Sequence, residues 1–242
     1  MRVAVVTGAS SGIGAALSRE LRARGWHVVG LSRRPAPHAD EHEHCDVADR
    51  ASVDAAAAHV LGRHPQIDLL VNNAGVAGRS DYLDAEPEVI ETLVRTNYLG
   101  SVWCLRAFLP GLGQGSSVVN MASVAAVVAV GPYSASKHAQ LAFSRSLAVE
   151  LRPRGIHVLS VLPGFVETPG FPQQGRFPFP LSRLVVDPPF VARRTLDAVE
   201  RKRHEIYAPR WYRPAAWLQA LAPGLFTRRP SLPSSDRSRS AS

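Results

Sequence analysis

A tyrosine and a lysine lie four residues apart, at Tyr133 and Lys137, in a stretch of helical composition. On an α-helix this spacing puts both side chains on one face. An ammonium group about 4 to 5 Å from the phenol stabilises the phenolate by roughly 3 to 4 kcal/mol at an effective dielectric constant near 20. Because a phenol starts from a pKa of about 10, this pair predicts a group that exchanges protons near neutral pH, as a general acid and base must.

A serine, Ser123, precedes this pair on the loop after a predicted strand. Its hydroxyl can hydrogen-bond a substrate oxygen and stabilise the negative charge that develops there. A plainer interpretation stays open for the single residues. A Tyr/Lys pair on a helix is often a surface pair, and a buried asparagine or serine usually satisfies backbone groups.

Three glycines, Gly8, Gly12 and Gly14, lie where an apolar β-branched run gives way to a helix. Backbone N–H groups and the helix dipole at such a turn bind phosphate. The spacing GxxxGxG matches neither GxGxxG nor the P-loop, so by itself it is also compatible with an ordinary glycine turn. The context of strand, turn and helix favours a nucleotide site.

The elements that must position these residues alternate between strands and helices. Strands are predicted over 3–7, 26–31, 67–72, 117–121, 156–162 and 205–208, and helices over 15–24, 51–61, 87–108, 133–152 and 190–201. This alternation predicts an α/β fold, a doubly wound parallel sheet covered by helices on both faces. In such a sheet, ligands bind beyond the carboxyl ends of the strands.

The composition is that of a chain with a buried core, with 45% of its 242 residues hydrophobic and 20% charged. Its two cysteines, Cys45 and Cys104, are too few for a disulfide framework and have no spacing suited to zinc, so no metal site is predicted. A reducing compartment, the cytoplasm, is expected. No apolar run approaches the roughly 20 residues that cross a bilayer, and the N-terminus does not resemble a signal peptide.

The net charge of +8 is concentrated at the C-terminus, where residues 201–242 carry nine basic and two acidic residues. The remainder is almost neutral, which argues against a nucleic-acid groove in the fold. We expect one domain over 1–208, an amphipathic segment over 209–229 and a disordered tail over 230–242. The aromatics and arginines of the amphipathic segment suit peripheral contact with an anionic membrane, a partner subunit's pocket, or packing on its own domain.

An ordered set of motifs closely resembles the short-chain dehydrogenase/reductase family over roughly residues 1–200. These motifs are TGASSGIG at 7–14, NNAG at 72–75, Asn97, Ser123, YSASK at 133–137 and Pro163-Gly164. The resemblance implies a Rossmann-type fold, a nicotinamide cofactor and reversible hydride transfer between an alcohol and a carbonyl. One departure is the interval of ten residues from Ser123 to Tyr133, shorter than is usual in the family, which predicts a reshaped wall of the substrate pocket.

The resemblance also implies roles for particular residues. Tyr133 becomes the proton donor, Ser123 the group that binds the substrate oxygen, Lys137 a ligand of the nicotinamide ribose, and Asn97 the anchor of a water that links Lys137 to solvent. The cofactor-binding set that it implies is Gly8, Ser10, Ser11, Gly12, Ile13, Gly14, Asp46, Val47, Asn73, Ala74, Gly75, Tyr133, Lys137, Pro163, Gly164, Val166 and Thr168.

The cofactor's identity can be predicted from the end of the second strand. In NAD sites a carboxylate about 20 residues after the glycine turn binds the ribose 2′-hydroxyl, and in NADP sites an arginine accommodates the 2′-phosphate. Here the strand ends in Ser32 and Arg33, and the next acid is Asp40. NADP(H) is therefore the predicted preference, with NAD(H) open as the alternative in which Arg33 is only a surface residue.

The substrate is predicted to be a hydrophobic carbonyl or alcohol, because residues 163–187 interleave prolines with phenylalanines and have no periodicity, as lids over a site do. A packed surface loop is the alternative. The family also suggests a homodimer or homotetramer built through the helices over 87–108 and 133–152. A catalytically silent NADP-sensing or structural protein is the competing function, and retention of Ser123, Tyr133 and Lys137 together favours the enzyme.

Overall fold

Seven segments of the chain form the strands of one sheet in the computed structural model, which describes residues 1–78, 81–128, 131–170, 185–222 and 224. The strands are β1 (Val3–Thr7), β2 (His27–Ser32), β3 (Glu41–His44), β4 (Ile67–Asn72), β5 (Leu112–Met121), β6 (His157–Pro163) and β7 (Glu205–Ala208). All pair in parallel, in the order β3-β2-β1-β4-β5-β6-β7. The connections change direction between β1 and β4, the position at which such sheets bind ligands.

Helices cover both faces of this sheet. They are α1 (Gly12–Ala23), α2 (Arg50–Arg63), α3 (Pro87–Val94), α4 (Gly100–Phe108), α5 (Gly131–Glu150), α6 (Pro188–Glu200) and α7 (Tyr212–Leu221). Along β1, Val3 and Val5 belong to the core shared with α2, α4 and α5, whereas Ala4 and Val6 belong to the core shared with α1 and α6. The period of two along a strand thus divides the apolar residues between two buried layers. The predicted Rossmann-type α/β fold is confirmed.

The strand β3 is an element that the sequence did not predict. Its residues, EHEH, include no apolar side chain, and it lies at the edge of the sheet beside β2. Apolar periodicity is the main signal for a strand, so a charged edge strand held by backbone pairing escapes it. Charged side chains at an exposed edge also oppose pairing with other chains.

The helix predicted over 87–108 is interrupted by a π-helical turn over Arg95–Leu99, between α3 and α4. The N–H of Gly100 donates to the carbonyl of Arg95, five residues earlier. Such turns insert one extra residue and are frequent at functional sites. Asn97 lies in this turn and is fully buried.

Parts of the predicted organisation lie outside the described residues, including most of the proposed lid (171–184) and the tail predicted to be disordered (230–242). The amphipathic segment forms α7, which exposes Trp217, Leu218 and Leu221. Among the described helices, none is long and apolar enough to span a bilayer.

A buried polar network attaches α5 to the middle of the sheet. Asn72 Nδ2 donates to Asn120 Oδ1 over 2.9 Å, and Asn120 Nδ2 donates to Ser144 Oγ over 3.0 Å. Ser144 Oγ in turn lies 2.7 Å from Ser160 Oγ. The network crosses β4, β5 and β6 and ends on α5, so it sets where that helix sits on the sheet.

The Asn120→Ala variant removes the centre of this network and leaves two buried polar partners without it. Since each unsatisfied buried group costs about 1 to 3 kcal/mol, we expect the free energy of unfolding to fall by about 2 to 4 kcal/mol in urea denaturation. The control is Gln114→Ala on the exposed part of the same strand, for which surface substitutions predict a change within about 0.5 kcal/mol. Equal stability of the two variants would contradict the role of the network.

Candidate active site

The glycine turn connects β1 to α1 with a geometry that only glycine allows. Gly8 and Gly12 have φ angles of 67° and 56°, in the left-handed region where a Cβ is strained. A Cβ on Gly14 would lie 2.2 Å from the carbonyl oxygen of Gly8. The turn therefore closes tightly on itself, and the backbone of the first turn of α1 is left uncovered by side chains of its own.

The N-terminus of α1 has the features of an anion site. Its N-cap, Ser11, makes no side-chain hydrogen bond to the helix, so the first-turn N–H groups lack a capping partner. The site follows directly on β1 at the switch point of the sheet, as a nucleotide pyrophosphate requires. Ser10, Ser11 and Ile13 accompany the glycines in this turn, so the predicted phosphate-binding set is contiguous.

The loop after β4 is fastened to the glycine turn through Thr7. Its hydroxyl accepts hydrogen bonds from the N–H groups of Asn73 and Ala74, each over 2.9 Å. Asn73 Nδ2 also donates to the carbonyl of Thr7 over 2.9 Å. The predicted cofactor residues of the two loops are thus brought side by side at the carboxyl ends of β1 and β4.

The segment after β6 also reaches the glycine turn. A Cβ on Gly12 would lie 3.3 Å from Thr168 Cγ2, which places Thr168 over the start of α1. Val166 forms a parallel bridge with Val186 at the far side of the undescribed residues. Gly164 provides room for α7, because a Cβ there would lie 2.1 Å from the ring of Tyr212. Tyr212 therefore packs on its own domain. This is one of the three alternatives predicted for the C-terminal segment.

The end of β2 brings together two predicted cofactor residues. Arg33 is exposed, and its Nη1 lies 3.7 Å from Asp46 Oδ2 in the loop after β3. Ser32 is buried and donates its hydroxyl to the carbonyl of Arg34 over 2.6 Å. Val47 is buried against Gly100, so it supports the loop of Asp46 from the core side.

Asp40, the first acid after β2, serves a different part of the fold. Its Oδ2 accepts from the N–H of Val28, near the amino end of β2, over 2.9 Å. Its other oxygen pairs with Arg22. Asp40 therefore lies at the amino end of β2, opposite Arg33. Its negative charge is not placed at the carboxyl end of the strand, where Arg33 lies.

Lys137 is buried where α5 crosses the end of β5. Its Nζ donates to the carbonyl of Met121 over 2.9 Å and to Gln140 Oε1 over 2.8 Å. Burial lowers the pKa of Lys137 to about 7. A Cβ on Gly75 would lie 3.5 Å from this Nζ, so the glycine after Asn73-Ala74 lets the cofactor loop approach the ammonium group.

Tyr133 lies one turn before Lys137 on α5, and its phenol is hydrogen-bonded to Ser123. Burial raises the pKa of Tyr133, and the bond to Ser123 only partly offsets this effect. The direction of this shift is opposite to that of the acidified phenol predicted from the spacing, and the ammonium of Lys137 bonds to Met121 and Gln140. Ser123 also accepts from the N–H of Ala125 over 3.1 Å.

The short loop between Ser123 and Tyr133 forms a 3₁₀ helix over Val124–Val127. Ser134 donates to the carbonyls of Ala125 and Val128, which fastens this loop to α5. The loop is apolar, and Val124 and Val127 pack beside Tyr212 in a small core cluster. It therefore forms an apolar wall next to the Ser123–Tyr133 pair.

Asn97 uses its side chain to hold the backbone of Val76. Its Oδ1 accepts from the N–H of Val76 over 2.8 Å, and its Nδ2 donates to the carbonyl of the same residue over 3.0 Å. Nδ2 also lies 3.0 Å from Ser136 Oγ on α5. The side chain thus positions the loop after β4 against α5.

Gln140 is a residue of the site that the sequence motifs did not single out. It is fully buried, and its Nε2 donates to Ser101 Oγ over 2.8 Å. Ser101 in turn donates to the carbonyl of Asn97 over 3.3 Å. A buried chain therefore links Lys137 through Gln140 and Ser101 to the π-helical turn. Its position three residues after Lys137, on the same helix face, was the available signal.

Comparison with known proteins points to one family for this chain. A family model described as short chain dehydrogenase matches residues 2–176. The chain is 40% identical over 189 residues to the 2-(R)-hydroxypropyl-CoM dehydrogenase of Xanthobacter autotrophicus, a match that covers 69% of this chain and 76% of the relative.

Solved structures agree. A short-chain dehydrogenase/reductase from Burkholderia phymatum in complex with NAD superposes with a TM-score of 0.83 at 25% identity, over 97% of this chain and 98% of the other. A short-chain dehydrogenase from Burkholderia cenocepacia in complex with NADP superposes with a TM-score of 0.76 at 27% identity, over 85% and 95% of the two chains.

The buried lysine makes stability depend on pH. An unfolded lysine has a pKa of about 10.4, whereas that of folded Lys137 is about 7. Between these values the unfolded chain binds more protons, so the free energy of unfolding rises with pH by up to about 1.4 kcal/mol per pH unit. We expect the wild type to gain stability relative to Lys137→Met as pH is raised from neutrality to about 9 in urea denaturation.

The matched control is Lys202→Met, which removes an exposed lysine and is expected to follow the wild-type curve. If the wild type and Lys137→Met change in parallel with pH, the lowered pKa of Lys137 is wrong.

Proposed function

The chain belongs to the short-chain dehydrogenase family, and we propose that it is an NADPH-dependent reductase of hydrophobic aldehydes or ketones that uses Tyr133 as its proton donor. Membership makes it an oxidoreductase that interconverts CH–OH and C=O groups of small molecules with a nicotinamide cofactor. The observation that carries the finer proposal is the convergence of Ser123, Tyr133 and Lys137 at the carboxyl end of β5, beside the loop after β4.

The protonation states favour reduction at neutral pH. Since burial raises the pKa of Tyr133, the phenol stays protonated and can donate to a carbonyl oxygen as that oxygen gains negative charge. Ser123 is hydrogen-bonded to the same phenol, so both hydroxyls can reach one substrate oxygen. The nicotinamide supplies the hydride when it is bound.

Lys137 contributes a positive charge that can be gained or lost near neutral pH, because burial lowers its pKa to about 7. Its ammonium lies in a water-poor site with only neutral oxygens, those of Met121 and Gln140, as its described partners. Any negative charge that forms on the Tyr133 oxygen after proton transfer, or a ribose hydroxyl placed nearby, interacts strongly with it because the local dielectric constant is low. Asn97 and Gln140 are positioning residues in this proposal.

The residues present fit a dinucleotide. The tight glycine turn and the uncapped start of α1 suit the pyrophosphate. Asn73, Ala74 and Gly75 lie between this turn and Lys137, and Thr168 covers Gly12. Pro163 ends β6, and Gly164 and Val166 follow that strand along the same edge of the sheet.

The preference for NADPH is supported by charge at the end of β2. Arg33 is exposed there, and Asp40 is turned to the other end of the strand. Asp46 is close enough to orient the guanidinium of Arg33, and in this proposal Asp46 would also contact the adenine of the bound cofactor. Similar proteins bind either NAD or NADP, so the choice in this chain depends on these residues.

A hydrophobic substrate is supported by the apolar walls around the proposed acid. The 3₁₀ helix over Val124–Val127 follows Ser123 and packs in the same cluster as Tyr212, and Phe165, which follows β6, is in ring contact with that tyrosine. In this proposal residues 163–187 form the lid over the bound hydrophobic substrate.

Assembly into a homodimer or homotetramer, and a cytoplasmic location, belong to the same proposal. The helices suggested for the interface expose apolar side chains, with Val89 and Val94 on or next to α3 and Val149 on α5. Peripheral membrane contact is proposed through the exposed Trp217, Leu218 and Leu221 of α7, where the guanidinium of Arg213 lies over the ring of Trp217.

The Tyr133→Phe variant removes the proposed acid, together with its hydrogen bond to Ser123, and keeps the aromatic ring. We expect kcat for NADPH-dependent reduction, measured with a panel of hydrophobic ketones and aldehydes, to fall by roughly 10²- to 10⁴-fold. Binding of NADPH, followed by its fluorescence, should be retained. Tyr82→Phe, at an exposed tyrosine, is the control. Equal rates for Tyr133→Phe and wild type exclude the acid, and a wild type that binds NADPH without any turnover favours the cofactor-sensing alternative.

The Arg33→Ala variant tests the cofactor preference. Hydrogen bonds to charged groups contribute about 1.5 to 3 kcal/mol, so the Kd for NADPH should rise by roughly 10- to 100-fold, while the Kd for NADH stays within a factor of about two. Arg19→Ala, an exposed arginine on α1, is the control. Wild-type protein that binds NADH as tightly as NADPH would sink the preference.

A further inference from the structure

Two histidines and a glutamate from three separate elements meet at the amino ends of β2 and β3. His27 begins β2, Glu41 begins β3, and His64 caps the C-terminus of α2. Nε2 of His27 lies 2.7 Å from Glu41 Oε1, and Nε2 of His64 lies 2.8 Å from the same oxygen. The two imidazole rings are 5.0 Å apart between centroids.

Strand register explains why these side chains converge. Glu41 pairs with Val29, and His27 precedes Val29 by two residues, so His27 and Glu41 project from the same face of the sheet. Val29 packs in the core with α2, and the end of that helix brings His64 to the same face. The cluster is at the opposite end of the strands from the glycine turn, so it belongs to a different site from the one described above.

The carboxylate of Glu41 is oriented so that one oxygen serves both rings. Arg63 Nε donates to Glu41 Oε2 over 2.9 Å, and the same guanidinium donates to Glu43 over 2.7 Å. With Oε2 held by Arg63, Oε1 is directed at the two imidazole nitrogens.

We propose that His27 Nε2, His64 Nε2 and Glu41 Oε1 bind one Zn²⁺ ion, with a water molecule as the fourth ligand. One ligand atom from each of the three side chains lies within 4.8 Å of the other two, and each Nε2 lies within 2.8 Å of Glu41 Oε1. In a tetrahedral site with bonds of about 2.0 to 2.1 Å, ligand atoms are about 3.3 Å apart, so small side-chain movements suffice. Each ring then carries its proton on Nδ1 and offers the Nε2 lone pair.

The second shell suits this ion. Zinc-bound carboxylates are themselves hydrogen-bonded as a rule, and Arg63 supplies that bond to Glu41 from the side away from the histidines. All three ligands are partly buried, with side chains between 16% and 28% exposed, so an ion can enter from solvent and still be partly shielded.

The ion would secure the weakest edge of the sheet. The strand β3 has no apolar side chain to bury, and it is held to the rest of the fold by backbone pairing and ion pairs. A metal shared by β2, β3 and α2 replaces that missing burial. Its expected role is therefore stabilisation of the fold.

The test uses the untagged full chain, freed of metal with a chelator and titrated with Co²⁺ and then Zn²⁺ near pH 7.5. We expect one Co²⁺ per chain with the visible absorption of tetrahedral coordination, displacement of Co²⁺ by one equivalent of Zn²⁺, and a rise of several degrees in Tm at excess Zn²⁺. In His64→Ala and in Glu41→Gln, which keeps the size of the side chain, the affinity should fall by roughly tenfold or more.

The matched control is His44→Ala, which removes an exposed histidine on the opposite face of β3 and should leave the cobalt spectrum and affinity unchanged. Circular dichroism of each variant establishes that it is folded. The proposal is overturned if the wild type shows no tetrahedral cobalt spectrum, or if His64→Ala and Glu41→Gln bind Zn²⁺ as tightly as wild type, which would leave the cluster as a hydrogen-bonded ion pair only.

Discussion

The ammonium group of Lys137, buried with no carboxylate partner among the residues that the structure describes, is the constraint on which the site depends. A lone buried cation is unstable unless oxygens satisfy it, and Met121 and Gln140 supply these oxygens. The carbonyl of Met121 lies at the end of β5. Because the buried ammonium needs this oxygen as a hydrogen-bond acceptor, α5 packs against that end of the strand. Gln140 accepts from the ammonium and donates to Ser101, and Ser101 donates to the carbonyl of Asn97 in the π-helical turn.

The remaining polar contacts hold the two sides of the site in register with this cation. Asn97 binds the backbone of Val76, which places the loop after β4 near Lys137. Thr7 joins the start of that loop to the glycine turn. One series of hydrogen bonds thus runs from the phosphate-binding end of the site to the proton-transferring end. Its members are buried or partly buried, so each broken bond leaves a group without water to replace its partner.

The glycines have a steric role in this arrangement. Gly14 permits contact with the carbonyl of Gly8, and Gly75 permits the approach of Lys137 and Asn97. Gly164 permits α7 to pack its tyrosine on the end of β6. These positions bring backbone segments closer than any side chain allows, which explains why the motifs that carry chemistry are also rich in glycine.

The local pattern of the sequence was sufficient to predict the strands other than β3, the glycine turn and the helix that carries both Tyr133 and Lys137, because apolar periodicity and helical spacing depend on neighbouring residues. The charged strand β3, the π-helical turn at Asn97 and the role of Gln140 were decided by tertiary contacts, which pair residues distant in the chain. The direction of the pKa shift of Tyr133 also depended on burial, which spacing does not contain. The convergence of His27, Glu41 and His64 likewise arises only when β2, β3 and α2 pack together. Because the three residues belong to three separate elements, their spacing in the sequence does not indicate that they meet.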